Sequence, residues 1–93
     1  MGIRTEVRKY VAENFLPDVP EASVEDTMPL ISGGIIDSLG MIGLVDFLES
    51  RFEVEFMPRE IDMHSLDTVE RIEAVVRGKL AGRKAGLATA HRQ

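Results

Sequence analysis

Residues 33–52 read Gly33-Gly34-Ile35-Ile36-Asp37-Ser38-Leu39-Gly40-Met41-Ile42-Gly43-Leu44-Val45-Asp46-Phe47-Leu48-Glu49-Ser50-Arg51-Phe52. The leading glycines free the backbone for a turn, Ile35 and Ile36 turn inward, and Asp37 and Ser38 belong to types that start helices. On a helical wheel at about 100° per residue, Met41, Leu44, Val45, Leu48 and Phe52 share one narrow sector, which predicts a core face. Leu39, Ile42, Gly43, Asp46 and Ser50 fall on the opposite side, so two apolar side chains near Ser38 are expected to face water. A serine at a helix start, with exposed apolar neighbours and no partner base, has the look of an attachment point.

Upstream, Ile3, Val7, Tyr10, Val11 and Phe15 recur at helical spacing and predict a first amphipathic helix over 3–15, stopped by Pro17. Pro17, Pro20, Pro29, Gly33 and Gly34 then mark residues 16–36 as a long loop. Its expected anchors are Leu30, Ile31, Ile35 and Ile36, and Ser23 or Asp26 is expected to cap a brief turn. Loops this long in a small domain are commonly functional or internally packed.

Downstream, residues 53–56 predict an extended connector with Val54 and Phe56 turned inward, and residues 58–61 a short helix with Pro58 in its first turn. Asp67 and Glu70 have the spacing of an N-cap and an acidic residue three positions on. Val69, Ile72, Val75, Val76 and Leu80 continue as the inward face of a last helix, expected to fade near Gly78 to Gly82. The whole predicts an all-α fold: a small antiparallel bundle of three long helices plus one short, with the long loop between the first two. Residues 1–82 are expected to form the domain and residues 83–93 a flexible, dispensable basic tail.

At 93 residues the chain is one domain with room for a modest core, and 44% hydrophobic residues argue against disorder. One Tyr, four Phe and no Trp make that core aliphatic. The absence of cysteine excludes a disulfide framework, a thiolate metal site and a cysteine nucleophile. No stretch approaches the ~20 apolar residues of a membrane span, and the N-terminus lacks a signal-peptide run, so a soluble, cytoplasmic protein without membrane insertion is expected. All 16 acidic residues lie at or before Glu73, and five basic residues with no acid follow from Arg77. Such an acidic body disfavours nucleic acid and favours basic protein partners.

Enzymatic readings fail on the residues. A nucleophile elbow around Ser38 needs Gly-x-Ser-x-Gly, and Ile36 occupies the first glycine position although Gly40 fits the last. The only histidines, His64 and His91, belong to no recognisable triad, and no Asp, Glu or His cluster has metal-ligand spacing. The five methionines suit gap-filling in a core.

The run Gly-Gly-Ile-Ile-Asp-Ser-Leu, followed by Leu-Val-x-Phe-Leu-Glu-x-Arg-Phe, resembles the modification motif and second helix of acyl carrier proteins, and the resemblance extends over about residues 3–77. It implies that Ser38 carries 4′-phosphopantetheine derived from coenzyme A, whose thiol holds an acyl or aminoacyl group as a thioester. It implies for Asp37 both a helix cap and a place beside the enzyme that installs the arm. Leu39, Ile42 and Asp46 are the implied docking face. Leu30, Leu44, Leu48, Phe56, Val69 and Ile72 are the implied core, bordering a shallow acyl-holding cleft. The implied partners are a phosphopantetheinyl transferase, an acyl- or aminoacyl-loading ligase or acyltransferase, and a downstream synthase or transferase, with the chain itself a non-catalytic monomer.

The sequence departs from fatty-acid-synthesis carriers at Gly40 and Gly43, where those usually carry acids. Each glycine lowers helix stability by about 1 kcal/mol relative to alanine. A closely packed partner surface is one expected reason. The departure moves weight from fatty-acid synthesis toward polyketide, nonribosomal-peptide or stand-alone aminoacyl carriers. The rival reading is an unmodified helical adaptor that retains the carrier fold.

Overall fold

The computed structural model describes residues 2–89, with side chains described through residue 82. Helix α1 spans Ile3–Phe15 and buries Val7, Val11 and Ala12. It ends where the sequence predicts. Leu16, which precedes Pro17, has left the helical region at φ −135° and ψ 62°, because a following proline disfavours helical backbone.

The loop from 16 to 37 is packed rather than loose. Leu30 and Ile36 are fully buried, and Ile31 and Ile35 pack partly buried against the core, as predicted; Val24 is also buried. A single 3-10 turn, Glu21–Ser23, follows Pro20 and has no side-chain cap. Ser23 lies within that turn and Asp26 pairs with Arg4 and Arg8, so neither serves as the expected cap. Charge attraction to two arginines outcompetes a local turn for the Asp26 carboxylate.

Helix α2 spans Ser38–Phe52 and buries Leu44, Val45 and Leu48, with Met41 and Phe52 packed at the margin of the core. It closes on Glu53 in the left-handed conformation at φ 55°. The connector then turns Phe56 inward, and its N–H donates to Glu49 Oε2 at 2.8 Å. The single short helix expected over 58–61 resolves into a 3-10 turn, Pro58–Glu60, and a four-residue helix α3, Met63–Leu66. The unanticipated start signal is Asp62, whose carboxylate accepts from the Ser65 N–H at 2.8 Å.

Helix α4 spans Val69–Thr89 and buries Val69, Ile72 and Val76. Its first turn is capped by Thr68, whose hydroxyl accepts from the Arg71 N–H at 3.0 Å, and not by Asp67. Asp67 turns into the interior instead, for a reason given below. The helix also runs past Gly78 and Gly82, where it was expected to fade. A glycine costs about 1 kcal/mol of helix propensity but keeps its hydrogen bonds. Of the flexible tail expected over residues 83–93, residues 83–89 continue α4, and residues 90–93 lie outside the described residues.

The result is the predicted all-α bundle of three long helices and one short. Residues from every helix meet in one core, with Leu30, Ile36, Leu44, Leu48, Leu66 and Ile72 among its fully buried members. Each such side chain contributes about 1.5–3 kcal/mol by leaving water. At the seam between α1 and α2, Tyr10 stacks on Phe47 with ring centroids 4.3 Å apart. An ionic cluster fastens α1 to the loop and α4: Arg4 bridges Asp26 and Glu73, and Arg8 donates to Asp26 at 2.6 Å. Among the described residues no helix is long and apolar enough to cross a membrane.

Candidate functional site

Ser38 is the first residue of α2 and its side chain is exposed. What puts it there is the turn before it. Gly34 adopts φ +83°, a conformation that side-chain-bearing residues rarely take. Gly33 passes so near the Pro29 carbonyl that a Cβ would stand 2.3 Å from its oxygen. The Ile36 N–H donates to the Leu30 carbonyl at 2.8 Å, and the Ile36 side chain is buried. Asp37 is then left at the surface in extended backbone, as the N-cap of α2, with its carboxylate accepting from the Gly40 N–H at 2.7 Å.

This arrangement settles the local electrostatics. The N–H groups of Ser38 and Leu39 have no intrahelical acceptor, as holds for the opening residues of any helix. They lie at the positive end of the helix dipole, where a phosphate is favoured. The first turn of α2 contains no acidic residue, and the Asp37 carboxylate is already engaged by Gly40. A phosphodiester on the Ser38 oxygen would therefore meet donors and no acidic side chain of the first turn.

Leu39 and Ile42 are 79% and 55% exposed, and Asp46 is exposed as well. The three lie on one solvent-facing side of α2, beginning beside Ser38. Gly43 does not belong with them. A Cβ at Gly43 would stand 3.3 Å from the Tyr10 hydroxyl, and one at Gly40 would stand 2.7 Å from Phe15 Cε1. The two glycines face the aromatic side chains of α1, so internal close packing, and not a partner surface, accounts for them. A single-helix wheel cannot reveal this, because α1 approaches from the flank.

The sequence reading missed three residues that shape the region. Met57 and Met63 are each 49% exposed, so they are not the gap-fillers expected of them. Asp67 is a buried carboxylate whose Oδ1 accepts the N–H groups of Ile31 and Ser32 at 2.7 and 2.9 Å, while Oδ2 accepts the Ser32 hydroxyl at 2.7 Å. Burial works against its charged form, but the Ser32 N–H and hydroxyl and the Ile31 N–H outweigh it, so its pKa falls below the ordinary value. No periodicity signals such a residue, because its partners lie 35 and 36 residues away in the sequence.

An open cleft of about 580 Å³ is lined by Glu49, Glu53, Val54, Glu55 and Lys79, none of them among the residues expected to border an acyl-holding cleft. His64 is exposed on α3, with its carbonyl accepting from Arg71.

No protein-family model matches the chain. The D-alanyl carrier proteins of Streptococcus thermophilus, Streptococcus sanguinis and Streptococcus mutans are each 32% identical to it over 72 residues, covering 77% of this chain and 87% of theirs. The solved apo structure of KstB-PCP, a peptidyl carrier protein, is 33% identical and superposes with a TM-score of 0.59, covering 80% of this chain and 81% of the other.

Proposed function

The chain belongs to the phosphopantetheine carrier-protein family, and from that membership we propose that Ser38 is its attachment residue and that its cargo is an aminoacyl group. As a carrier it performs no catalysis, and the family's prosthetic group is covalent 4′-phosphopantetheine. When attached, that group supplies the thiol on which a thioester is held. Everything else falls to the residues of this chain and to its partners.

The observation that carries the reading is the exposed Ser38 as the first residue of α2, behind a turn whose positive φ at Gly34 favours glycine. In modification the Ser38 oxygen forms a bond to phosphorus as the phosphoanhydride bond of coenzyme A breaks. Its proton passes to a base of the transferase, and adenosine 3′,5′-bisphosphate leaves. Asp37 holds the helix start rigid, and the N–H groups of Ser38 and Leu39 offset the charge of the phosphodiester. Leu39, Ile42 and Asp46 form the docking face for the transferase, the loading ligase and the enzyme that receives the cargo.

An aminoacyl cargo is supported by the relatives, which are D-alanyl and peptidyl carriers. Intact-mass spectrometry after incubation with coenzyme A and a broad-specificity transferase tests the attachment. Wild type gains the arm, and Ser38→Ala gains nothing while keeping its helical circular dichroism. A second incubation, with D-alanine or L-amino acids, ATP and an aminoacyl-loading ligase, tests the cargo against fatty acids with an acyl-loading ligase. Wild type that stays unmodified with several transferases would leave the adaptor reading in possession.

A further inference from the structure

The buried Asp67 lies far along the chain from Ser38, yet all its side-chain hydrogen bonds go to the segment that leads into the attachment residue. Its backbone joins in: the Leu30 N–H donates to the Asp67 carbonyl at 2.7 Å. One residue at the corner between α3 and α4 thus grips residues 30, 31 and 32 by four hydrogen bonds. From there the chain has little freedom. Gly34 N–H donates to Ile31 carbonyl, Ile36 N–H donates to Leu30 carbonyl, and the buried Ile36 precedes the Asp37 cap.

The alternative places for this carboxylate make the arrangement informative. Asp67 stands one residue before Thr68 and could have capped α4 from the surface, which would satisfy it at no desolvation cost. It is buried instead, and Thr68 caps. Burying a carboxylate is unfavourable unless its acceptor capacity is used, and here it is used on the loop alone. We propose that Asp67 is a positioning residue for modification: by gripping residues 30–32 it fixes the backbone that presents Ser38. It touches neither the serine nor the group transferred to it. The proposal rests on Ser38 being the attachment residue.

The test is the rate of modification of the full chain by a broad-specificity transferase with coenzyme A, measured against carrier concentration and followed by intact mass. If the presented loop is only one of several populated states in Asp67→Ala, the apparent KM for the carrier rises by about tenfold while kcat stays within about twofold, because binding selects the competent fraction. Asp67→Asn restores KM to within about threefold, since its amide oxygen can accept both N–H groups and its nitrogen can donate to the Ser32 hydroxyl. Amide exchange in Asp67→Ala quickens at Ile31, Ser32 and Gly40, while Val11 and Ile72 keep wild-type protection.

An unchanged KM, equal damage from the asparagine and alanine variants, or exchange that quickens equally throughout the molecule would overturn the proposal. Should Asp67→Ala lose its helical circular dichroism, Ser32→Ala decides. It removes one hydrogen bond from an exposed residue and should raise KM about threefold; no change in KM overturns the proposal. Wild type that is never modified, or a modified Ser38→Ala, would overturn both this proposal and the attachment reading. A modified wild type whose variants behave like it overturns this one alone.

Discussion

Phe15, the last residue of α1, lies against Gly40 in the first turn of α2, so near that a methyl group at position 40 would stand 2.7 Å from the ring carbon Cε1. The same methyl group would stand 3.0 Å from Ile36 Cγ2 and 3.2 Å from Asp37 Oδ1. The start of α2 is therefore wedged between the end of α1 and its own cap. An acidic side chain, as found here in fatty-acid-synthesis carriers, would collide with the ring.

The wedge predicts opposite signs for one substitution at two glycines. At Gly78, in α4, nothing lies within 4 Å of an added Cβ, so Gly78→Ala should stabilise by about 1 kcal/mol through helix propensity. Gly40→Ala should gain the same propensity and still lose stability, by about 1–3 kcal/mol from overpacking. Phe15→Leu should recover part of that loss. Urea denaturation of the three variants and the double variant checks this, and a stabilised Gly40→Ala would show that the ring yields freely.

The exposed and buried faces of α2 give a second contrast. Ile42→Asp adds a charge at a position that is 55% exposed, and it should leave thermal stability nearly unchanged while slowing loading by the cognate ligase. Leu48→Asp puts the same charge into the core, where no partner awaits it, and should unfold the bundle. Circular dichroism melts beside loading rates would separate orientation from polarity. A stable Ile42→Asp that loads at the wild-type rate removes this residue from the docking face.

Acid should loosen the chain from its ionic cluster. The Arg8 hydrogen bond, opposed by burial and aided by Arg4, holds Asp26 below the usual carboxylate range; Arg4, opposed by burial and aided by Arg77, does the same for Glu73. Folded pKa values below the unfolded ones mean that the unfolded chain binds more protons in the window between them. Stability is therefore full above the unfolded value of about 4 and is lost as pH falls through the folded values. Thermal melts should stay level from neutral pH to about 5 and then decline. Asp26→Asn should melt lower at neutral pH and decline less steeply in acid; a decline parallel to wild type would remove Asp26 from the cause.

Gly34 carries a prediction of its own. At φ +83° an alanine is strained, although the space around it is open. Gly34→Ala should cost about 1–2 kcal/mol from backbone strain alone, with no repair from substituting neighbours. A melting temperature equal to wild type would mean that the turn relaxes to another conformation.

The three long helices were legible because their apolar residues repeat with the helical period, and the place of Ser38 at the start of α2 was legible because a glycine turn, an acidic cap and that period meet there. Asp67 was not. Its three-residue spacing to Glu70 fits a cap, and a competing set of N–H groups 35 and 36 residues away in sequence takes the carboxylate instead. Gly40 and Gly43 were visible as anomalies, but their cause lies on α1, beyond the reach of any pattern within α2. Thr68 and Asp62 were overlooked for the opposite reason: their caps are local, and stronger-looking signals stood beside them.

The Tyr10–Phe47 stack has a practical consequence. Tyr10 is the only tyrosine, and the chain has no tryptophan, so a single ring dominates its near-ultraviolet absorption and fluorescence. That ring sits at the seam of α1 and α2, stacked on Phe47 with its hydroxyl beside Gly43. Its ionisation is pushed up, by burial first and then by the Asp46 charge. The protein thus carries a built-in optical gauge on α1, stacked against the helix that bears Ser38 and the proposed docking residues. Arrival of a partner at Asp46, or a change in helix spacing on loading, can be followed through Tyr10 without attaching a dye.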